Sequence, residues 1–542
     1  MLELLKAHIK NTDNLIDDDL KGYACYTIAN VGNEHKNSLI CIDKNRTTLV
    51  AFTYSNENKK FIKEVIYEEK DGKIYTVYAS TFDSVEYMSY VIVLQNSNDI
   101  FQMKLVKSGE ENNIDLPDSE IVPLLYSDDN SPSLFIKTTN GYSSLTIKNG
   151  KCESRKFPNI TSDIERNHNG AFVDVTGLST NLIFTTQNTN KGRCIEIYAL
   201  NSKDLIKLSE LEIPKKTGPM VFADIRRNGR MDLVFVSHED NKYYLNIYYN
   251  TGDTKCPFKE ENDKYKDVYD LTKLFPGFEP ITDVDVLGNI PAGLVAIDLD
   301  LNSYPDFVLI MKNKTTEKTF IRVLENNEGK LIVSEKWKEL EEIDGAISVG
   351  VLDIYGLSEY GIFVNNYLNG DFHISYFDST YAWDNFRLQL VTLQSDIRAI
   401  YRGVLPGVSY RLYLRTPEMV LTGTQMPQRP FLSPHIPGIF FGLGSLNVMI
   451  EKLVLRLPDG NTSMEVSQII IPNSELVLRI SNNDVDVELF LNIWSTVRGV
   501  SIVLFTVLLI NFMLVVWFYL HEKKKQKKAM KKDSMLFNFE AL

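Results

Sequence analysis

Asp298, Asp300, Asn302 and Asp306 occupy relative positions 1, 3, 5 and 9 within one segment, LVAIDLDLNSYPDFVLIM. A tight loop can turn alternate oxygen-bearing side chains onto one point, and calcium takes six to eight oxygens at about 2.3–2.6 Å. The carbonyl of Tyr304 would add another oxygen. Three carboxylates without a cation repel one another, whereas a divalent ion neutralises most of their charge. The spacing predicts one structural calcium site built from Asp298, Asp300, Asn302, Tyr304 and Asp306. The rival reading is a hydrogen-bonded acidic turn.

Related loops lack the full set. The loop at Asp224 keeps Asn228, Gly229 and Asp232 but has Arg226 at its third position, where a guanidinium can take the cation's place. Tyr355 and Leu357 follow Asp353, and Thr176 and Leu178 follow Asp174, so both of those loops read as structural. No catalytic constellation accompanies them. The chain has no GxSxG, no HExxH and no P-loop, and its seven His are scattered. Gly442-Leu443-Gly444 lacks a third glycine and lies in strand-like sequence, so it reads as a turn and not a dinucleotide site. His238-Glu239-Asp240 reads as a hairpin tip. The expectation is a non-enzyme.

The elements that position these loops repeat. Strand–loop–strand copies have loops near Asn30, Thr81, Ser127, Asp174, Asp224, Asp298 and Asp353. Their starts lie about 50 residues apart, except for a 74-residue step into Asp298, whose excess (Cys256–Ile290) reads as an inserted loop. Two copies continue into a third strand ending in Asn and Gly, at Gly252 and Gly329. Short strands at this period are the signature of a β-propeller. The predicted fold is all-β: a seven-bladed propeller over residues 20–400, behind an N-terminal segment 1–19. From 401 to 493, strands separated by Pro and Gly turns predict a membrane-proximal β-sandwich.

Residues 499–520 form an uncharged run, GVSIVLFTVLLINFMLVVWFYL. At about 1.5 Å per residue it is long enough for a hydrocarbon core of about 30 Å. Trp494, Trp517 and Tyr519 flank it as interfacial aromatics do. The tail, 521–542, carries seven Lys against Glu522, Asp533 and Glu540, while the whole chain has a formal charge of −13. Positive flanks stay in the cytoplasm, which puts the acidic N-terminal mass outside or in a lumen. An acidic ectodomain argues against nucleic acid. The N-terminus has no apolar core of signal-peptide length, so the expectation is a start lying upstream, with a tail-anchored cytosolic protein as the alternative. Sequons at Asn45, Asn159, Asn313 and Asn461 leave that choice open. Cys25, Cys41, Cys152, Cys194 and Cys256 contain no CxxC and read as free thiols, although Cys25 and Cys41 could face each other across strands.

GVLPGVSYRLYL, IPGIFFGLGSLN, IIPNSELVLRI, the apolar span and the terminal LFNFEAL resemble, in order, segments of the T-cell immunomodulatory protein family, also called LINKIN proteins. That family has FG-GAP repeats like the integrin α-subunit propeller. The resemblance implies a propeller, a membrane-proximal sandwich and type I topology, with a role in cell adhesion or cell modulation through protein partners. It carries calcium only onto the Asp298 loop. The rival function class is a secretory-lumen enzyme or folding factor, since propellers also host catalysis.

Overall fold

The computed structural model describes residues 9–11, 20–29, 37–128, 131–201, 204–259, 265–282, 293–353, 361–379, 385–394, 403–425, 436–491 and 493–539, apart from a few loop residues inside these ranges. Tyr355 and Leu357 lie outside the described residues. The chain divides into two compact units, Met1–Phe490 and Leu491–Leu542.

In the first unit, seven antiparallel sheets follow one another along the chain. The first is Tyr23–Ala29, Ser38–Asp43, Thr48–Ser55 and Lys60–Glu68; the second runs from Lys73–Ser80 to Ile114–Ser119, and the third from Leu124–Asp128 to Lys151–Lys156. The fourth runs from Ala171–Val173 to Leu205–Glu212, the fifth from Thr217–Ala223 to Lys266–Asp270, and the sixth from Leu294–Ile297 to Lys330–Val333. The seventh holds Ala346–Leu352, Gly361–Leu368 and Asp371–Ser379. First strands of successive sheets lie side by side, as Thr217–Ala223 does against Leu294–Ile297, and Leu294–Ile297 against Ala346–Leu352. This is a seven-bladed β-propeller, and the seven predicted loops each join a first strand to a second.

Burial follows position in the blade. The inner strand Thr217–Ala223 is buried throughout, while the outer strand Lys151–Lys156 is almost wholly exposed. Blades bury both faces against their neighbours, so inner strands read as continuous apolar runs and outer ones as charged sequence. The core is divided into seven seams, one per pair of adjacent blades, ending with the seam that packs Leu352, Phe363 and Tyr376 of blade seven on Cys25, Cys41 and Phe52 of blade one.

Three boundaries depart from expectation. Ile9–Asn11, expected in a separate N-terminal segment, pairs with Asp371–Ser379 and supplies the fourth strand of blade seven. The ring is therefore closed by the start of the chain. Because that position is filled, Phe386–Gln394, expected within the propeller, joins the sandwich, pairing in parallel with Ser474–Ser481 and antiparallel with Ile439–Gly444. The stretch Cys256–Ile290 is not simply an inserted loop. It carries Lys266–Asp270, which completes blade five, and Phe278–Pro280, which extends blade six.

The second sheet of the sandwich orders Glu418–Thr424, Ser409–Arg415, Ile450–Arg456 and Ser463–Val466, and a core of Leu390, Tyr410, Leu412, Leu453 and Leu476 lies between the two sheets. Cys25 and Cys41 do stand opposite each other in the ladder, as buried free thiols. In the second unit, one helix spans Ile493–Phe539, well past the predicted end of the apolar span at 520.

Asn365 fastens the closing seam. Its Oδ1 accepts from Cys25 N at 3.0 Å, and its Nδ2 donates to Cys25 O and to Ser348 Oγ, both at 2.8 Å. Asn365→Ala would strand both backbone groups of Cys25 in a buried seam, at a cost of about 1–3 kcal/mol for each. Chemical denaturation should show that loss in Asn365→Ala and almost none in Gln102→Ala, which is exposed on blade two.

Candidate metal centre

The Asp298 loop joins Leu294–Ile297 to Asp306–Asn313 at the inner edge of blade six. Its tightness needs left-handed backbone at two non-glycine residues, Leu301 (φ 59°) and Ser303 (φ 73°). Carboxylates stabilise that conformation. Asp298 accepts from Asn302 N at 3.0 Å and Ser303 N at 2.8 Å, and Asp306 accepts from Leu299 N at 3.1 Å and Asn326 N at 2.7 Å. Asp300 accepts from Asn302 N at 3.2 Å, and Asn302 Oδ1 from Tyr304 N at 2.7 Å.

Of the predicted set, Asp298, Asp300 and Asp306 converge, with one carboxylate oxygen from each lying within 4.8 Å of the others. Asp300 and Asp306 are buried. Burial, with mutual repulsion added, pushes the carboxyls of Asp298 and Asp306 well above the ordinary range; the backbone N–H bonds oppose this. Asn302 remains in the loop as an oxygen donor. The side chain of Tyr304 is engaged elsewhere, its hydroxyl bonded to Arg227, whose guanidinium lies 3.6 Å from the ring centroid. Two residues were missed from sequence. Glu325, on Thr319–Asn327, and Lys336, in the short turn Glu335–Trp337, stand beside Asp300, the Lys336 ammonium lying 3.5 Å from Asp300 and 2.5 Å from Glu325. No spacing rule signals residues gathered from separate elements.

The Asp224 loop has the same framework with a different countercharge. Asp224 accepts from Asn228 N at 2.9 Å and Gly229 N at 2.8 Å, and Asp232 from Ile225 N at 3.3 Å and Asn250 N at 2.7 Å. Burial raises Asp224 to about 6 and Asp232 to about 7, with the Arg226 guanidinium pulling both back. Arg226 lies 4.0 Å from Asp232 and 4.0 Å from the centroid of the Tyr249 ring. The third strands then link blade to blade. Asn326 Nδ2 donates to Ile225 O in the preceding loop at 3.1 Å, and Asn250 Nδ2 to Val175 O at 2.7 Å. These are the residues behind the Asn–Gly strand endings in the sequence, for the same side chains accept from Gly329 N and Gly252 N, each at 2.9 Å.

The sandwich sits on this row of loops. Ser127 Oγ of blade three donates to Pro406 O at 2.8 Å, and Thr180 Oγ1 of blade four to Gly407 O at 2.5 Å. Thr424 Oγ1 accepts from Asp174 N at 3.1 Å, and Val420 bridges to Asn228 of blade five. At blade six, Gly444 N donates to Leu301 O at 2.9 Å and Asn385 Nδ2 to Asp300 O at 2.5 Å. Gly442-Leu443-Gly444, expected as a turn, is part of the strand Ile439–Gly444. Its first glycine clears room for the loop, because a Cβ there would meet the Asp298 carboxylate and approach the Leu301 backbone to 2.7 Å.

Comparison with known proteins places residues 403–488 in a family model described as ITFG1, C2 domain. The chain is 23% identical over 454 residues to T-cell immunomodulatory protein of Homo sapiens, covering 77% of this chain and 74% of that one. The Mus musculus protein of the same name is 23% identical over 415 residues, covering 69% and 67%. Among solved structures, the Dos1 propeller aligns with a TM-score of 0.33 and 12% identity, over 65% of this chain and 88% of that one. The WD40 domain of SCAP from fission yeast aligns at 0.29 and 10%, over 66% and 82%.

Gly442→Ala tests the seat directly. The added methyl should lift the sandwich edge from the Asp298 loop and destabilise by about 1–3 kcal/mol, as overpacking does. Thermal melts should show the loss. An unchanged melt would mean that the edge does not press on the loop.

Proposed function

This chain belongs to the T-cell immunomodulatory protein family, and from that premise we propose that it is a single-pass, receptor-like membrane protein whose propeller and sandwich bind protein partners in adhesion or cell modulation. The observation that carries the membrane reading is the C-terminal helix. From Val503 to Leu520 its apolar side chains are bare on every side, Phe505 67%, Phe512 68% and Val515 66% exposed among them. A helix apolar all round needs an apolar solvent. Asn511, the one amide side chain between Val503 and Leu520, is satisfied within the helix by Val507 O at 3.0 Å.

The Lys run that follows, Lys523 to Lys532, supports a cytoplasmic C-terminus and an extracellular or lumenal propeller. The sequons at Asn45 and Asn159 are exposed and so open to glycosylation in that compartment. The role proposed is binding and not catalysis, in keeping with relatives named for immunomodulation. Protease treatment of intact membranes tests the orientation: a C-terminal tag should be digested while the propeller survives. The reverse pattern would end the adhesion reading.

One structural calcium ion at the Asp298 loop completes the proposal. The donor set fits, since three converging carboxylates, two of them buried, meet penalties from burial and repulsion that a divalent ion offsets. Asp298, Asp300, Asn302 and Asp306 would hold the ion, with the Tyr304 carbonyl as a further oxygen. Its chemistry there is charge neutralisation. Calcium should raise the melting temperature, with a stabilisation of about 2.7 kcal/mol at a hundredfold excess over the dissociation constant. Asp300→Ala should remove most of that rise and Asp224→Ala should leave it. A melting curve unmoved by chelation would leave the acidic-turn reading in its place.

A further inference from the structure

Glu325 has an acceptor to spare in a place where carboxylate oxygens are otherwise occupied. The residue is 6% exposed, its Oε1 takes the Lys336 ammonium at 2.5 Å, and its Oε2 is buried with no hydrogen-bond partner among the described residues. Nearby, both oxygens of Asp298 and both of Asp306 accept backbone N–H groups. An unspent buried carboxylate oxygen is costly unless a donor or cation comes to it.

Lys336 is held for this position by its own turn. Trp337 is fully buried in the seam between blades six and seven, and Ser334 Oγ accepts from Lys336 N at 3.3 Å, which fixes the backbone. The side chain reaches Asp300 at 3.5 Å and Glu325 at 2.5 Å while 41% of it stays in water. One ammonium thus serves two carboxylates on separate elements. It grips Glu325 closely and Asp300 loosely, and its exposed stem lets it shift at small cost.

We propose that Lys336 is a built-in rival of the divalent cation for Asp300. Without the ion the ammonium bridges Asp300 and Glu325; when the ion enters, the ammonium is released from Asp300 and stays on Glu325. Resting on the calcium reading above, this gives that site a regulation. The metal-free loop keeps a countercharge and stays folded, and the cation must outcompete a resident charge, so the site fills only at higher calcium.

The test is calcium titration calorimetry on the detergent-solubilised full chain, comparing wild type, Lys336→Met and the charge-balanced Glu325→Gln/Lys336→Met. Methionine keeps the stem and removes the charge. Both variants should bind calcium roughly fivefold tighter than wild type, the scale of losing one partly exposed ion pair. In chelator, Lys336→Met should melt below wild type and the double variant should recover much of the difference. Equal affinity in all three proteins overturns the rivalry while leaving the calcium reading intact. A gain in the single variant only also overturns it, because the bare charge of Glu325 would then be the cause. Binding by the variants and not by wild type upholds the rivalry and removes calcium from the wild-type protein. Absence of binding in all three overturns both readings.

Discussion

The propeller depends on carboxylates that have exchanged water for backbone N–H groups. Asp232 and Asp306 open the second strands of blades five and six. Each accepts one N–H from its own loop and one from an Asn at or just past the end of the third strand of the same blade. The Asn that donates the second bond reaches back to a carbonyl in the preceding blade. One acidic group therefore shapes a loop, ties it to its sheet and, through that Asn, locks neighbouring blades together. A buried carboxylate in this role must be neutralised as well as hydrogen-bonded. In blade five the neighbouring guanidinium of Arg226 does this in part, and in blade six an ammonium stands beside Asp300.

The same loops carry the second domain. The sandwich meets them through short polar bonds and, at Gly442, through a strand edge bare of a side chain, so that backbone approaches backbone. A residue with a Cβ would hold the two apart. The loop chemistry and the domain arrangement are therefore one problem. A change in charge at Asp298 is felt where the sandwich rests, because the Asp300 and Leu301 carbonyls are themselves the acceptors of that contact.

Much of this was legible in the sequence, for reasons that individual residues show. First and second strands such as LVAI and DFVLIM are buried on both faces, so every blade announced itself by one apolar hairpin. Outer strands did not. The strand Lys266–Asp270, KDVYD, holds no buried residue and reads as loop, and the three residues Ile9–Asn11 are too few to show any period. Missing that closing strand displaced the next boundary, since a propeller lacking a fourth strand in its last blade appears to need Phe386–Gln394. At the metal centre, Asp298, Asp300 and Asp306 were legible because one loop positions them. Glu325 and Lys336 were not, because Glu325 comes from the third strand and Lys336 from a separate turn that the packing of Trp337 holds at the site. Glycine at 442 looked like a turn for a related reason: its purpose lies in another domain.

Because the sandwich occupies the rim formed by the first loops of blades three to six, the ring is one-sided. Among the described residues, turns from second strand to third on the reverse face are open to water. Its tips are tight and polar: Asp240 and Asn241, Glu317, and Asn369 before Gly370, all in left-handed backbone. Turns of that kind accept substitutions in their side chains far more freely than in their backbone. The structure thus separates a side whose loops are bonded to the second domain from a side whose chemistry can drift between relatives without loosening the fold.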